Sequence, residues 1–306
     1  MSQADQRVAV VFPGQGSQRP GMARAWREQP AFARWAEADA LLDLDVTHLG
    51  IDADADELRV PLHCQIALFV HFVVQYETWR ATGGDAGVAA GHSLGEYAAL
   101  FAADVLDFAD GLRLVEARAR ATQAAAEQHP GTMVACLGYP VETVGEACAA
   151  VGAHVANDNA PGQLVVGGTA DALDRLRAAL EDSGERGKVV TLEVGAAYHS
   201  PHMEPAVEPF GAALDAAAFS PARIPVVANV DAQPHRSAAD WPAILRAQLT
   251  SPVRWRESVR TFTELGVTQV VELGPSAVLA GLVKRTDRSL ARTTVVAPEE
   301  LAGAPQ

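Results

Sequence analysis

Short apolar runs alternate along the chain with longer amphipathic runs. Residues 8–12 (VAVVF) and 86–90 (AGVAA) are typical of buried strands, whereas residues 22–42, 65–79 and 108–128 carry the apolar spacing that is typical of helices. Alternation of this kind predicts an α/β fold, a hydrolase-like core built on a mostly parallel sheet with helices packed against it.

A different pattern begins after residue 130. Strand-like and helical segments follow in the order strand, helix, strand, strand, helix, strand, at residues 132–138, 142–151, 153–157, 163–167, 172–182 and 189–194. This is the order of the ferredoxin-like βαββαβ unit. It predicts a small subdomain at residues 131–194 that is inserted into the larger α/β unit.

The larger unit is expected to resume after the insert. Its remaining elements are predicted to be a helix, a strand, two helices and a strand, at residues 203–217, 224–229, 241–250, 258–265 and 269–273. The large subdomain then consists of residues 1–130 and 195–297. Residues 298–306 (PEELAGAPQ) are expected to form a disordered tail.

The composition limits the classes of function. The chain has 306 residues, of which 49% are hydrophobic, and this is enough to bury a large core. It lacks a run of about 18 apolar residues that could span a membrane. The polar residues 1–7 lead into an apolar run that is too short for a signal peptide. We therefore expect a cytoplasmic protein without a membrane partner.

Charge and cysteine content point the same way. A formal net charge of −14 argues against a nucleic-acid partner, and an acidic partner would have to bind a local basic patch. The three cysteines, Cys64, Cys136 and Cys148, show no metal-ligand spacing and are expected to be buried thiols in a reducing compartment. No bound metal or permanent cofactor is expected.

The pentapeptide Gly91-His92-Ser93-Leu94-Gly95 fits the G-x-S-x-G nucleophile elbow. In that motif a strand turns sharply into a helix and exposes a serine at the bend. The apolar residues 86–90 precede it and the helix-forming residues 96–103 follow it, so the context agrees. We therefore expect Ser93 to be a nucleophile.

A serine hydroxyl needs a base that accepts its proton. His199 and His202 follow the last predicted strand of the insert, at a position where α/β sheets place working groups, and the pattern alone does not separate them. His92 is expected to point away from the reactive face of the elbow and to pack. No acid is clearly placed to orient the base, so a backbone carbonyl or an Asn or Gln side chain could do so instead, and Asn229, at a strand end, is a candidate.

Acyl transfer also requires donors for an oxyanion. The backbone N–H of Leu94 follows the nucleophile at a helix N-terminus and supplies one donor. The second is expected from the Gly-rich loop at residues 14–18, which lacks the Lys and the spacing of a phosphate-binding loop. Arg118 lies in an amphipathic helix, and its position fits either a surface ion pair or a clamp on a substrate carboxylate.

Six segments resemble motifs of the malonyl-CoA:acyl-carrier-protein transacylase family, which includes the acyltransferase domains of fatty acid and polyketide synthases. They are FPGQGSQ (12–18), GHSLGEYAAL (91–100), NDNAPGQLVVGG (157–168), YHSPHME (198–204), QLTSPVRW (248–255) and VELGPSAVLAGLVKR (271–285). The resemblance covers residues 8–288. It implies the same hydrolase-like core with a ferredoxin-like insert.

The resemblance also implies roles for individual residues. The family's catalytic positions correspond to Ser93 as nucleophile, His199 as base, and Gln15 with the N–H of Leu94 as the oxyanion hole. His202 is thereby demoted. The residues implied for the substrate-binding part of the site are Arg118 for the free carboxylate, Gln65 in the cleft, Gln248 beside the histidine, and the neighbouring His92 and Tyr198.

The implied function is ping-pong transfer of a malonyl-type acyl group from coenzyme A to the phosphopantetheine thiol of an acyl carrier protein. Alternatives are a trans-acting polyketide-pathway enzyme that moves an unusual acyl or aminoacyl group between carrier proteins, an editing hydrolase, and a catalytically silent carrier-binding module. A monomer is expected. Candidate basic residues for carrier docking are Arg186, Lys188, Arg254 and Arg285.

Four positions depart from the family pattern and bear on the acyl group. Cys64 and Ile66 stand where Thr and Pro are usual around Gln65, Tyr198 stands where Phe is usual, and Ala196 stands where malonyl-selective members have His. The departures leave room for a larger or more polar acyl group.

Overall fold

The computed structural model describes residues 7–305 and contains two β-sheets. The strands are β1 (Arg7–Phe12), β2 (Val88–Gly91), β3 (Thr132–Leu137), β4 (His154–Ala160), β5 (Gln163–Gly168), β6 (Lys188–Thr191), β7 (Val226–Val227), β8 (Pro234–His235), β9 (Val267–Leu273) and β10 (Ala291–Val295). The helices are α1 (Ala33–Leu41), α2 (Val46–Ile51), α3 (Pro61–Ala81), α4 (Gly95–Ala102), α5 (Phe108–Gln128), α6 (Val141–Val151), α7 (Ala170–Asp182), α8 (Glu204–Ala216), α9 (Trp241–Gln248), α10 (Trp255–Glu264) and α11 (Leu279–Thr286).

The larger sheet has the strand order β10-β9-β1-β2-β7-β8 and is parallel except for β8, which pairs antiparallel with β7. Successive side chains of the central strand β1 enter two different cores, because side chains alternate between the faces of a sheet. Val10 and Phe12 pack with α3, α4, α5 and α8, whereas Ala9 and Val11 pack with α10 and α11. Helices therefore cover both faces, and the predicted α/β core with a mostly parallel sheet is confirmed.

The smaller sheet is antiparallel, with the order β4-β5-β3-β6. One face packs against α6 and α7 around side chains such as Cys136, Val144 and Leu176. The opposite face carries Met133 and Val165, which line a cleft against the larger sheet. The strand order is that of a ferredoxin-like unit, as the sequence predicts.

The predicted helix at residues 22–42 is wrong in its first half. The structure has two short 3-10 turns, Arg24–Trp26 and Pro30–Phe32, and α1 begins only at Ala33. Pro30 is the reason, since it disfavours helical backbone in the preceding residue. Gln29 is extended, with φ −83° and ψ 137°.

The expectation of a disordered tail after residue 297 is also wrong. Residues Pro298–Gly303 form a 3-10 helix, and Leu301 is only 5% exposed. The indole N–H of Trp79 donates to the carbonyl of Pro305 at 3.2 Å. The segment is anchored because Leu301 and Ala304 complete the core beside β10, a strand that the sequence pattern did not reveal.

Smaller differences concern short elements. The predicted strand at 224–229 shortens to β7, and the one at 189–194 to β6. Helix α2 was not predicted; Asp45 begins it by accepting the backbone N–H of His48 at 2.8 Å. Among the described residues, no helix is both long and apolar enough to cross a bilayer.

Candidate active site

Ser93 lies at the sharp turn between β2 and α4, with a φ of 52°. A left-handed backbone is costly for a residue other than glycine and marks a turn that its surroundings enforce. The flanking glycines allow the turn: a Cβ on Gly91 would lie 1.9 Å from the backbone of Gly95, and one on Gly95 would lie 2.1 Å from the carbonyl oxygen of Phe12. The predicted elbow geometry is present.

His199 is the histidine that reaches the serine. Its Nε2 lies 2.7 Å from Ser93 Oγ, and its Nδ1 lies 2.8 Å from the backbone carbonyl oxygen of Gln248. A carbonyl only accepts, so Nδ1 carries the proton and Nε2 presents its lone pair to the serine hydroxyl. His202 instead lies beside Ser200 and His154.

The environment keeps His199 neutral. Burial, and after it the positive charge of Arg118, lower the pKa of His199 to about 3. The imidazole is therefore unprotonated at neutral pH, which is the form that accepts a proton from a serine. Its orienting partner is the Gln248 carbonyl, so the candidate Asn229 is wrong for that part.

Arg118 is turned inward and is only 1% exposed. Its guanidinium donates to Gln65 Oε1 at 2.5 Å, to Ser93 Oγ at 3.0 Å and to Gln248 Oε1 at 3.4 Å. These contacts exclude the alternative of a surface ion pair. Within residues 7–305 no carboxylate forms an ion pair with Arg118, and its Nε has no hydrogen-bond partner. A buried cation without a direct counter-charge is costly unless an anion arrives from outside.

The cleft above Ser93 has a volume of about 530 Å³ and lies between the two sheets. The loop after β1 forms one wall, and a Cβ on Gly14 would lie 2.8 Å from the His92 carbonyl oxygen, so loop and elbow are in contact. Gln15 lies on this wall beside Cys64 and Tyr198. Leu94 is the N-cap of α4, where helical N–H groups are free to donate.

The remaining predicted residues also line or border the cleft. The ring of His92 is turned toward the small sheet, and its Nε2 lies 2.7 Å from Asn159 Oδ1, so it joins the elbow to β4. Tyr198 is half-buried at the cleft wall, and burial raises the pKa of its phenol. Gln65 and Gln248 are fully buried beside Arg118.

Glu96 is part of this site and was missed by the sequence reasoning, which treated it only as a helix former. It is completely buried in α4, where Oε1 accepts the Asn229 N–H at 2.7 Å and Oε2 accepts from the Gln248 amide. The sequence held a signal for this role: among the residues of the elbow and the helix that follows it (91–103), Glu96 is the one Asp, Glu, Lys or Arg.

Comparison with known families decides the assignment. The model of the acyl transferase domain family matches residues 9–305. The chain belongs to this family. The enzyme is therefore an acyltransferase, and the predicted resemblance is confirmed.

Individual relatives are similar over nearly their whole length. The chain is 38% identical over 305 residues to the malonyl CoA-acyl carrier protein transacylase of Escherichia coli (strain K12), covering 97% of this chain and 98% of that one. It is 37% identical over 302 residues to the protein of the same name from Bacillus subtilis (strain 168), covering 96% and 95%.

Solved structures agree. The malonyl-CoA:acyl carrier protein transacylase of Xanthomonas oryzae pv. oryzae has a TM-score of 0.93 and 39% identity, with 98% of each chain covered. A malonyl-transacylase solved in complex with its type II PKS acyl-carrier protein has a TM-score of 0.94 and 36% identity, covering 98% of this chain and 99% of that one. In the described part of this acyltransferase, no group of three or more His, Cys, Asp or Glu side chains is arranged to hold a metal ion.

Proposed function

We propose that this acyltransferase moves a malonyl-type acyl group from coenzyme A to the phosphopantetheine thiol of an acyl carrier protein, through an acyl ester on Ser93. The observation that carries the proposal is Arg118: a buried guanidinium that donates to Ser93 Oγ at 3.0 Å and has no carboxylate partner among residues 7–305. A carboxylated acyl group bound to Ser93 would supply the missing anion. The names of the relatives support the same substrates.

In the first half-reaction His199 Nε2 accepts the hydroxyl proton while Ser93 Oγ attacks the thioester carbonyl carbon. The carbonyl oxygen becomes an oxyanion, which is stabilised by Gln15 and by the backbone N–H of Leu94. The C–S bond then breaks, and the departing thiolate of coenzyme A takes the proton from His199. An acyl-Ser93 ester remains.

In the second half-reaction the phosphopantetheine thiol of the carrier gives its proton to His199, and its sulfur attacks the acyl-Ser93 ester. The same oxyanion donors serve again. Ser93 Oγ leaves and recovers the proton from His199. Because the acyl donor and the acceptor thiol use one site in turn, with acyl-Ser93 between them, the kinetics are ping-pong.

Arg118 gives the site its selectivity for acyl groups. A substrate carboxylate that contacts its guanidinium would receive two parallel, charge-assisted hydrogen bonds. Gln65 Nε2 is buried and has no partner among the described residues, so it is available as a further donor. Uncharged acyl groups leave Arg118 without a counter-charge and Gln65 Nε2 without an acceptor, and are rejected for that reason.

Intact-protein mass spectrometry after brief incubation with acyl-CoAs tests the proposed function. We expect malonyl-CoA to add one malonyl group to the wild type, whereas acetyl-CoA and butyryl-CoA label it at least about 100-fold more slowly, because they leave Arg118 unpaired. Peptide mapping should place the adduct on Ser93. Labelling by acyl-carrier proteins but by no carboxylated CoA would instead support transfer between carriers, and rapid loss of the adduct to water would support the editing hydrolase.

The carrier protein is proposed to approach α11. This helix lines the cleft through Leu279 and Leu282 and exposes Lys284 and Arg285, and the Arg285 guanidinium donates to the cleft residue Gln163 at 3.0 Å. Carrier proteins are typically acidic, so a basic rim beside the entrance suits them. Another candidate, Arg254, is engaged in an ion pair with Glu257.

Reversal of this charge is expected to weaken carrier recognition alone. In the double variant Lys284→Glu/Arg285→Glu we expect kcat/KM for the carrier protein to fall about 10-fold or more, with a reduced dependence on salt. The rate of Ser93 labelling by malonyl-CoA in the absence of carrier should stay within about 2-fold of the wild type, since a rim pair contributes little to the chemistry. Stopped-flow labelling and steady-state transfer assays measure the two rates.

The matched control is Arg120→Glu/Arg175→Glu, which reverses two exposed charges that contact no cleft residue. It should transfer malonyl groups to the carrier as the wild type does. Equal losses in the two double variants would mean that net charge, and not α11, governs carrier binding.

A further inference from the structure

The buried carboxylate of Glu96 connects the elements that hold the reacting pair. Its Oε1 accepts the backbone N–H of Asn229, and the side chain of Asn229 in turn accepts the Ser93 N–H at 2.7 Å and donates to the Gly91 carbonyl at 2.6 Å. Asn229 thus fixes both sides of the elbow. Glu96 holds Asn229 in position.

The second oxygen of Glu96 holds Gln248. The amide of Gln248 donates to Glu96 Oε2 and, at 3.1 Å, to the Ser93 carbonyl, while the backbone carbonyl of the same residue orients His199. An enzyme with a serine and a histidine commonly orients the histidine with an acid in direct contact. In this chain the acid, Glu96, does not contact the histidine: Gln248 lies between them, with its side chain bonded to Glu96 and its backbone carbonyl bonded to His199.

Glu96 also faces the charge of Arg118. The Gln248 amide bridges the two groups, because its Oε1 accepts from Arg118 and its Nε2 donates to Glu96. Arg118 lies close enough to stabilise the ionised form of Glu96, and it disfavours a proton on His199. A negative charge on Glu96 therefore offsets part of the positive potential that Arg118 imposes on the site.

We propose that Glu96 is the positioning residue of this acyltransferase: its ionised carboxylate, acting through Asn229 and Gln248, orients Ser93 and His199 for proton transfer. The inference rests on the function proposed above, because it concerns the acylation of Ser93. It assigns to Glu96 the part that a directly bound acid plays in a Ser-His-Asp triad.

The hydrogen bonds are those of the ionised form. Both partners of Glu96, the N–H of Asn229 and the amide NH2 of Gln248, can only donate, so each carboxylate oxygen must accept. A proton on either oxygen would face a donor and break one of the two links. Protonation of Glu96 should therefore loosen the site while Ser93 and His199 stay chemically intact.

The titration of Glu96 falls where it can be measured. Burial raises the pKa of Glu96 to about 7, opposed by the hydrogen bonds from Asn229 and Gln248 and by Arg118, and assisted by Asp231. Tyr97, the next residue, also faces Glu96 and Arg118 and is kept neutral by burial, which raises its pKa. Burial, with Arg118 and His92 also opposing protonation, lowers the pKa of His199 to about 3. If the acylation rate falls as the pH drops through neutrality, we therefore expect this acid limb of the profile to come from Glu96 and not from His199.

The pH dependence of Ser93 acylation tests the proposal. The donor is malonyl-N-acetylcysteamine, a thioester without a phosphate that titrates, and the acylation rate is followed by quenched-flow mass spectrometry between about pH 5 and pH 9. For the wild type we expect the rate to fall below an apparent pKa near 7 as Glu96 takes up a proton. In Glu96→Gln we expect a rate about 10- to 100-fold lower at high pH and no limb near neutrality.

Two further variants keep the test valid even if Glu96→Gln does not fold. Glu96→Asp retains the negative charge on a shorter side chain, so its acylation rate should be lower than that of the wild type but should still fall at acid pH. Asp231→Asn removes a negative charge that raises the pKa of Glu96, so the limb should move to lower pH with the plateau rate unchanged. Circular dichroism at each pH shows that the variants stay folded.

An unchanged limb in Glu96→Gln would overturn the proposal, as would a limb that does not move in Asp231→Asn. A wild type that forms no acyl-Ser93 at any pH would contradict the proposed function instead, so the two failures are distinguishable.

Discussion

Replacing Ser93 by alanine is expected to lower the rate of acyl transfer by at least about 10⁴-fold, because the ester intermediate can no longer form. The loss should be complete in intact-protein mass spectrometry, which should detect no malonyl adduct on the variant. Substrate binding should persist, since Arg118, Gln65 and the cleft walls are unchanged. The matched control is Ser220→Ala, an exposed serine outside the cleft, which should label as the wild type does.

Loss of His199 should cost nearly as much as loss of Ser93. The two groups act as one unit across the 2.7 Å contact, so the double variant Ser93→Ala/His199→Ala should be no slower than Ser93→Ala alone. A residual adduct on Ser93→Ala at another residue, or additive losses in the double variant, would contradict a single acyl-serine intermediate.

The sequence predicted elements best where the pattern was strongly amphipathic. Helix α5 has the predicted bounds, with Asp107 capping its N-terminus by accepting the N–H of Asp110 at 2.8 Å. Helix α3 is longer than expected at both ends, because it is apolar on all sides and lies buried between neighbours, where periodicity gives no boundary. Pro61 begins it at a position where proline suits a helix.

The candidate site was predictable to the extent that its residues lie in local motifs. The elbow places Ser93 by short-range geometry, and the resemblance implied His199 and Arg118, which the structure brings to within hydrogen-bonding distance of it. The links through Glu96, Asn229 and Gln248 join residues that are more than 100 positions apart. Such contacts depend on how α4, α9 and the end of β7 meet, and no spacing along the chain encodes them.

The two histidines illustrate the limit. His199 and His202 are equivalent in sequence context, but the backbone of His199 has a φ of 56° that turns its ring toward Ser93. The ring of His202 instead lies edge-to-face against the ring of His154 in the smaller sheet, with the two ring centroids 6.3 Å apart. The difference arises from the local turn and not from residue type, so the pattern alone could not decide between them.

Removal of the Arg118 guanidinium should abolish the preference for carboxylated acyl groups. In Arg118→Ala we expect kcat/KM for malonyl-CoA to fall about 10³-fold, since the carboxylate would enter a buried site without its charge partner. The acetyl group has no carboxylate to pair with Arg118, so kcat/KM for acetyl-CoA should fall far less. The measured quantity is the ratio of the two kcat/KM values, which should shrink by about 10²-fold or more.

The ratio separates selectivity from a general loss of activity. Arg118 also donates to Ser93 Oγ and Gln248, so its removal slows the reaction with every donor, but that loss is common to both acyl groups and cancels in the ratio. Arg118→Lys keeps the charge without the fork that reaches several acceptors at once, and it should retain part of the malonyl preference. Arg120→Ala, an exposed arginine two residues along α5, should leave the ratio unchanged. If Arg118→Ala preserved the malonyl preference, the carboxylate would have to bind elsewhere in the cleft, and the buried guanidinium would serve only to hold Gln65, Gln248 and the serine hydroxyl together.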